Sequence, residues 1–186
     1  MSSSGFVVAV AGLSGSGKSA ISEMLRSEHA MEIVRTGDIM RHGAHEKGYP
    51  GLTQMILDKG VKETFSSFRE AILEEVRRLS CASNVVVDGL YDIKLAGMMR
   101  ASFHGNMAII EVQAPEALRV SRIASRNSTD ALEGKTEAER RDAVKMAAGL
   151  GEVIAIAQHH ISNCAGMREL HDGVESTILR VLNGRK

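Results

Sequence analysis

AGLSGSGKSA, Ala11 to Ala20, follows the apolar run FVVAVAG, Phe6 to Gly12, and leads into a segment with helical spacing. Three glycines, Gly12, Gly15 and Gly17, precede Lys18 and Ser19. Glycine admits positive φ without a Cβ clash, so such a loop can turn several N–H groups toward one point. A helix starting near Gly17 adds the positive end of its dipole there. Inward N–H groups, a dipole end and an ammonium group make a seat for an oligophosphate. Gly12-x-x-x-x-Gly17-Lys18-Ser19 between a buried strand and a helix is the spacing of the phosphate-binding P-loop, or Walker A motif. In that reading Gly12, Ser14, Gly15, Ser16, Gly17, Lys18, Ser19 and Ala20 surround the phosphates. Lys18 supplies a point charge to the β- and γ-phosphates and Ser19 a hydroxyl ligand to Mg²⁺, so ATP and Mg²⁺ are the expected cofactors.

The rest of the chain builds a frame around this loop. NVVVDG, Asn84 to Gly89, and NMAIIEVQAP, Asn106 to Pro115, are further apolar runs, with weaker ones around Ile33-Val34 and Ile161. Runs without alternation suit strands buried on both faces. Helical patterns lie between them: Ser19 to about His29, Leu52 to Leu79 as two helices, and Pro115 to about Arg126. A capping-box pattern at Thr136-Glu137-Ala138-Glu139 predicts a helix start, and a last helix runs from Met167 to Leu182. The alternation predicts an α/β fold: a three-layer α/β/α P-loop NTPase domain, residues 1–186, with about five parallel strands.

The bulk numbers exclude other classes. The 186 residues carry no net charge, 3% aromatics and no Trp, so neither a basic field nor stacking platforms argue for a nucleic-acid partner. No run of about 18 apolar residues points to a membrane, and Met1 to Gly5 lacks the basic and apolar regions of a secretion signal. Two isolated cysteines, Cys81 and Cys164, suit a reducing cytoplasm, so a cytoplasmic location is expected. On that ground the sequon Asn127-Ser128-Thr129 is a chance match.

VVVDGL ends a second buried strand in Asp88, where a P-loop protein holds Mg²⁺, often through water. Read alone, the Asp-Gly pair is also a strand-ending turn.

Arg35 to Gly48, RTGDIMRHGAHEKG, resembles the nucleoside monophosphate kinase family, adenylate kinase in particular, in its Thr36-Gly37-Asp38-x-x-Arg41 string after the second strand. The resemblance implies a helical acceptor-binding insert over 37–80. Thr36, Asp38, Arg41 and Gly89 would face the acceptor, and Arg41 would grip its anionic group. It also implies a lid over 126–142, within the polar stretch Ser125 to Asp142. Arg119, Arg122 and Arg126 share a helix face before it, and Arg140 and Arg141 return beyond it. By the resemblance Arg122 and Arg126, then Arg141, stabilise charge on the transferring phosphoryl group. The implied catalytic set is Lys18, Asp38, Arg122 and Arg126.

The tail Ala155 to Leu170, AIAQHHISNCAGMREL, resembles the last strand and helix of dephospho-CoA kinases, with Asn163, Ala165 and Gly166 lining the base pocket. An uncharacterised archaeal family of P-loop kinase-like proteins is similar in both features. It also shares Arg141-Asp142 ahead of Gly149-Leu150-Gly151-Glu152. One departure stands out: adenylate kinases follow Asp-Gly with Phe-Pro-Arg, and here Leu90-Tyr91-Asp92 follows, leaving Arg69 or Arg100 as substitutes for the missing clamp. His159-His160 read as structural, because neighbouring strand residues point to opposite faces.

The expectation is a kinase moving the ATP γ-phosphoryl to a small nucleotide-like acceptor, a nucleoside monophosphate, as a monomer or homodimer. Dephospho-CoA is the alternative acceptor. The alternative of another class is a P-loop ATPase or switch with a protein partner.

Overall fold

The computed structural model describes residues 5–127 and 131–183, with backbone alone for 126, 127, 131–134 and 183. The chain opens with β1 (Val7–Ala11), α1 (Lys18–His29) and β2 (Glu32–Arg35). Four helices follow: α2 (Thr36–Glu46), α3 (Leu52–Lys59), α4 (Val61–Ser66) and α5 (Arg69–Ser80). Then come β3 (Val85–Asp88), α6 (Ile93–Phe103), β4 (Met107–Gln113), α7 (Glu116–Asn127), α8 (Ala131–Ala148) and α9 (Leu150–Ala155). β5 (His159–Ser162) and α10 (Met167–Asn183) complete the fold.

The five strands form one sheet in the order β2-β3-β1-β4-β5. Every pairing is parallel. The unbroken apolar runs make this possible, because both faces are covered. Val8, Val10, Val86, Ile110 and Val112 pack under α1 and α10, against Ile21, Leu25, Leu170, Val174 and Ile178. Val7, Ala9, Val85, Val87 and Ile109 point to the opposite core, with Met40, Leu73, Val76, Leu95, Met99 and Leu150. The order places β1 at the centre, between β3 and β4. After β1 the chain runs to one side of the sheet, and after β3 it crosses to the other. A crevice opens outside the carboxyl ends of the strands at such a reversal. Among the described residues no helix is long and apolar enough to cross a membrane.

Three local expectations are corrected. The stretch 52–79 forms three helices, not two, because the chain turns through positive φ at Gly60 and again breaks before Arg69. Thr136 does not start a helix: it lies inside α8, and Glu139, the acid of the expected box, faces Lys135 at 3.9 Å. The helices α6 and α9 also went unread.

Asp92 explains the first of these. Its Oδ1 accepts the Lys94 and Leu95 N–H groups at 2.8 and 3.3 Å, capping α6. Its Oδ2 accepts from Arg69 Nε at 2.6 Å, with the two side chains 5% and 20% exposed. One carboxylate thus joins α5 to α6 and satisfies a helix start. Truncating one partner of a buried pair costs about 3–5 kcal/mol, and a lost cap about 1 kcal/mol. Asp92→Ala should therefore destabilise by at least about 3 kcal/mol in urea unfolding. Arg69→Met should cost less, because the cap survives. A loss under about 1 kcal/mol for Asp92→Ala contradicts this reading.

Candidate active site

The P-loop sits in the central crevice. Gly12, Gly15 and Gly17 have φ of 144°, 74° and 107°, all in the region open to glycine. The loop is also braced from behind. A Cβ at Gly15 would stand 2.6 Å from the Arg119 carbonyl oxygen, and one at Gly17 would stand 2.1 Å from Asn163 Nδ2. Backbone freedom and close approach are both needed here.

Four side chains hold the loop in shape. Asn163 Nδ2 donates to the Ser16 carbonyl at 2.8 Å, and Arg122 Nη2 donates to Asn163 Oδ1 at 3.1 Å. Arg122 Nη1 reaches the Gly15 carbonyl at 3.3 Å. Arg119 Nη1 bridges the Ser14 carbonyl at 2.9 Å and Asp142 Oδ2 at 2.6 Å. The other oxygen of Asp142 accepts the Ser14 N–H at 2.7 Å. α7 and α8 therefore grip the loop directly.

A cavity of about 790 Å³ opens in front of it. Ser14, Gly15, Lys18, Ser19 and Asp88 line one end, and Gly37, Met40, Arg41 and His45 of α2 another. Arg140, Arg141 and Lys145 of α8 lie along it, and Leu52, Ile56 and Phe65 supply an apolar wall. The charges are lopsided: among the described residues, Asp88 is the one acid of the ionisable lining groups.

Lys18 is buried, and its Nζ donates to the Leu13 carbonyl at 2.7 Å. Burial, followed by repulsion from Lys145, lowers its pKa to about 7. Lys145 Nζ donates to Ser14 Oγ at 2.7 Å, and burial lowers its pKa to about 8. The two ammonium groups lie 6.0 and 5.0 Å from the centre of the Tyr91 ring. Ser16 Oγ is buried without a hydrogen-bond partner. Two partly discharged lysines, an orphaned hydroxyl and a glycine-cradled backbone fit an oligophosphate. Ser19 and Asp88 offer a hydroxyl and a carboxylate in the same cavity, a donor set suited to Mg²⁺.

The other sequence-derived candidates divide. Thr36 Oγ1 donates to the Gly89 carbonyl at 2.7 Å, tying the ends of β2 and β3 together. Gly89 has φ 99°, and a Cβ there would stand 2.6 Å from the Tyr91 hydroxyl oxygen. Asp38 is paired with Arg41 at 2.5 Å, both 61% exposed, and Arg41 lines the cavity while Asp38 does not. Arg122 and Asn163 face the back of the P-loop, not the cavity. Ala20 follows the loop in the first turn of α1. The Arg126 side chain lies outside the described residues. Arg69 is held by Asp92, and Arg100 Nη2 donates to the Ile156 carbonyl at 3.0 Å, so neither enters the cavity. Arg140 and Arg141 share Glu137, whose carboxyl they hold down at about 2. His160 Nδ1 faces Glu111 at 2.8 Å on β5.

Sequence reasoning missed Lys145, Tyr91 and Asp142 as parts of the site. Tyr91 and Asp142 were quoted only inside family patterns. The one available signal for Lys145 was its place three residues beyond Asp142, on the same helix face.

Comparison with known proteins agrees with this architecture. A relative, a UPF0200 protein of Saccharolobus islandicus (strain M.16.4 / Kamchatka #3), is 29% identical over 178 residues, which span 95% of this chain and 94% of the relative. Among solved structures, a gluconokinase from Sinorhizobium meliloti 1021 superposes with a TM-score of 0.60 at 17% identity, covering 100% of both chains. A shikimate kinase from Acinetobacter baumannii, solved with shikimate, gives 0.59 at 16% identity, covering 98% of this chain and 96% of its own. At such identities the likeness is one of fold, and that fold is the P-loop kinase type. A family model described as an AAA domain, AAA_17, matches residues 11–139, more than half of the chain. The chain belongs to that family.

Proposed function

We propose that this protein is a P-loop kinase that transfers the γ-phosphoryl group of ATP, with Mg²⁺, to a small anionic acceptor, a nucleoside monophosphate. One observation carries the reading: the P-loop end of the cavity, with Lys18, Ser19 and Asp88, is continuous with a second end lined by Gly37, Arg41 and His45. A hydrolase needs room for water alone. This cavity has room for a second substrate, walled by Leu52, Ile56 and Phe65 and overhung by cationic side chains. In this reading residues 37–80 form the acceptor-binding insert and 126–142 the lid. The exposed thiols of Cys81 and Cys164 suit a reducing cytoplasm.

When bound, the Mg-nucleotide supplies the phosphoryl group: an acceptor oxygen bonds to the γ-phosphorus as the bond to the β–γ bridging oxygen breaks, its electron pair leaving with ADP. The chain's own residues position and neutralise. The P-loop N–H groups and Lys18 hold the phosphates. Ser19 and Asp88 hold the metal, directly or through water. Arg41 grips the acceptor's anionic group. The apolar wall contacts the rest of the acceptor and helps exclude water.

Asp38 bears on the choice of acceptor. Its carboxylate is engaged by Arg41, outside the cavity lining, which suits a residue that positions the arginine. A phosphate acceptor is already an anion and needs no base. A hydroxyl acceptor, as in dephospho-CoA, needs one, and a base in reach contributes about 10²–10⁴-fold. The observed pairing favours the monophosphate.

Two outcomes are expected. Lys18→Ala should keep its fold and lose transfer of labelled γ-phosphate to the best acceptor by about a hundredfold or more. Wild-type turnover in that variant refutes the kinase reading. Asp38→Asn should chiefly raise the acceptor KM, with kcat nearly unchanged. A collapse of kcat with acceptor binding retained would transfer the assignment to a hydroxyl acceptor.

A further inference from the structure

We propose that Lys145 is a catalytic residue: the α8 cation that contacts the transferring phosphoryl group alongside Lys18. The inference rests on the kinase reading above and assigns within it a role that no sequence motif marks.

The argument begins with α8. Asp142 fastens this helix to the P-loop through the Ser14 N–H and through Arg119. Lys145 lies three residues on, so its side chain leaves the same face of a helix already fixed to the loop. Its Nζ stands 2.7 Å from Ser14 Oγ, and Ser14 is buried in the P-loop. Its stem is half-buried, and the ammonium group rests 5.0 Å from the centre of the Tyr91 ring. Lys18 Nζ lies 6.0 Å from the same ring. Tyr91 thus holds the two ammonium groups over one part of the cavity floor. A catalytic group held by packing on a rigid element reaches its geometry without reorganisation.

Among the described residues, the competing arginines are otherwise engaged. Arg119 and Arg122 donate to P-loop carbonyls and face away from the cavity. Arg140 and Arg141 share the Glu137 carboxylate. Arg41 is paired with Asp38, and Arg35 with Glu23. Lys145 instead bonds a neutral hydroxyl, and among the described residues no carboxylate stands within ion-pair distance of it. Its charge remains available to an incoming anion. Burial lowers its pKa to about 8 even though the nearby Asp142 and Asp88 carboxylates favour the charged form.

In the transfer, the acceptor oxygen–phosphorus bond forms and the bond to the bridging oxygen breaks, its electrons staying on ADP. With a phosphate acceptor no proton moves. Charge on the phosphoryl oxygens is redistributed between the entering and leaving groups. Lys18 and Lys145 would both contact those oxygens, and the Lys145 contact would strengthen as transfer proceeds.

The test compares affinity for Mg·ADP with affinity for Mg·ADP plus aluminium fluoride, a mimic of the phosphoryl group in flight, by calorimetry. kcat and melting temperature are measured in parallel. Lys145→Met keeps the stem over Tyr91 and removes the charge, Lys145→Gln is the second such variant, and Lys145→Arg restores a cation. Both neutral variants should lose some Mg·ADP affinity, about tenfold at most, because Lys145 also borders the phosphate seat. Beyond that loss, they should lose on the order of a further hundredfold in fluoride-complex affinity, and about a hundredfold in kcat, with Lys145→Arg recovering most of it. Unchanged fluoride affinity and kcat, equal losses for both ligands, or no recovery in Lys145→Arg overturns the assignment while the kinase reading stands. A wild-type protein that does not bind Mg·ADP overturns both.

Discussion

Burying one ammonium group beside a glycine-built loop is the constraint from which the rest of the site follows. Lys18 is 7% exposed at the carboxyl end of the sheet, and its burial and the nearness of Lys145 depress its pKa to about 7. Such a placement opposes folding, since a buried charge is costly and the nearby Asp88 and Asp142 carboxylates offset only part of the cost. The fold supports it with an apolar sheet covered on both faces and a loop stitched to three other elements. Functional sites are where proteins depart from what stability alone would choose. The departure makes sense if a substrate anion adds to the counter-charge of Asp88 and Asp142.

The stitching gives α7 and α8 a role at the base of the P-loop. Here Asp142 accepts the Ser14 N–H, Arg119 holds both Asp142 and the Ser14 carbonyl, and Arg122 joins Asn163 to Gly15. The loop's shape therefore depends on both helices and on the turn after β5. Tyr91 extends the arrangement to the end of β3, standing beneath Lys18 and Lys145. It occupies the segment where adenylate kinases carry Phe-Pro-Arg. A contribution from the ring's π-face replaces, in part, what a further carboxylate would give two lysines, worth about 0.5–2 kcal/mol per contact.

Much of this was legible in the sequence because local rules and tertiary fate agree there. FVVAVAG, NVVVDG and NMAIIEVQAP have no alternation, and their strands are buried on both faces. The Walker spacing falls where the strand ends and the helix begins. Reading failed where tertiary contacts overrode local pattern. Thr136 and Glu139 have the spacing of a capping box, yet α8 begins earlier and Glu139 faces Lys135. Arg119 and Arg122 have the spacing of a cationic face, yet that face turns to the back of the P-loop. Lys145 has no motif around it, and only the Asp142 anchor, a contact 128 residues away in sequence, brings it to Ser14. Helix periodicity names a face and not what the face meets.

The account's central claim is that the paired lysines await an oligophosphate, and proton-linked binding tests it directly. An anion beside Lys18 and Lys145 raises their pKa values from about 7 and about 8. At pH 8 Lys18 is mostly neutral before binding and charged after it, so binding takes up protons. Below about pH 6 both lysines are already charged and this uptake vanishes. Calorimetry of ADP binding at pH 8 in buffers of different ionisation enthalpy measures the uptake. The account predicts a net gain of about 1.4 protons per ADP, about 0.9 from Lys18 and about 0.5 from Lys145, with roughly the Lys145 share left in Lys18→Met. ADP binding with no proton uptake at pH 8, or no ADP binding at all, would contradict it.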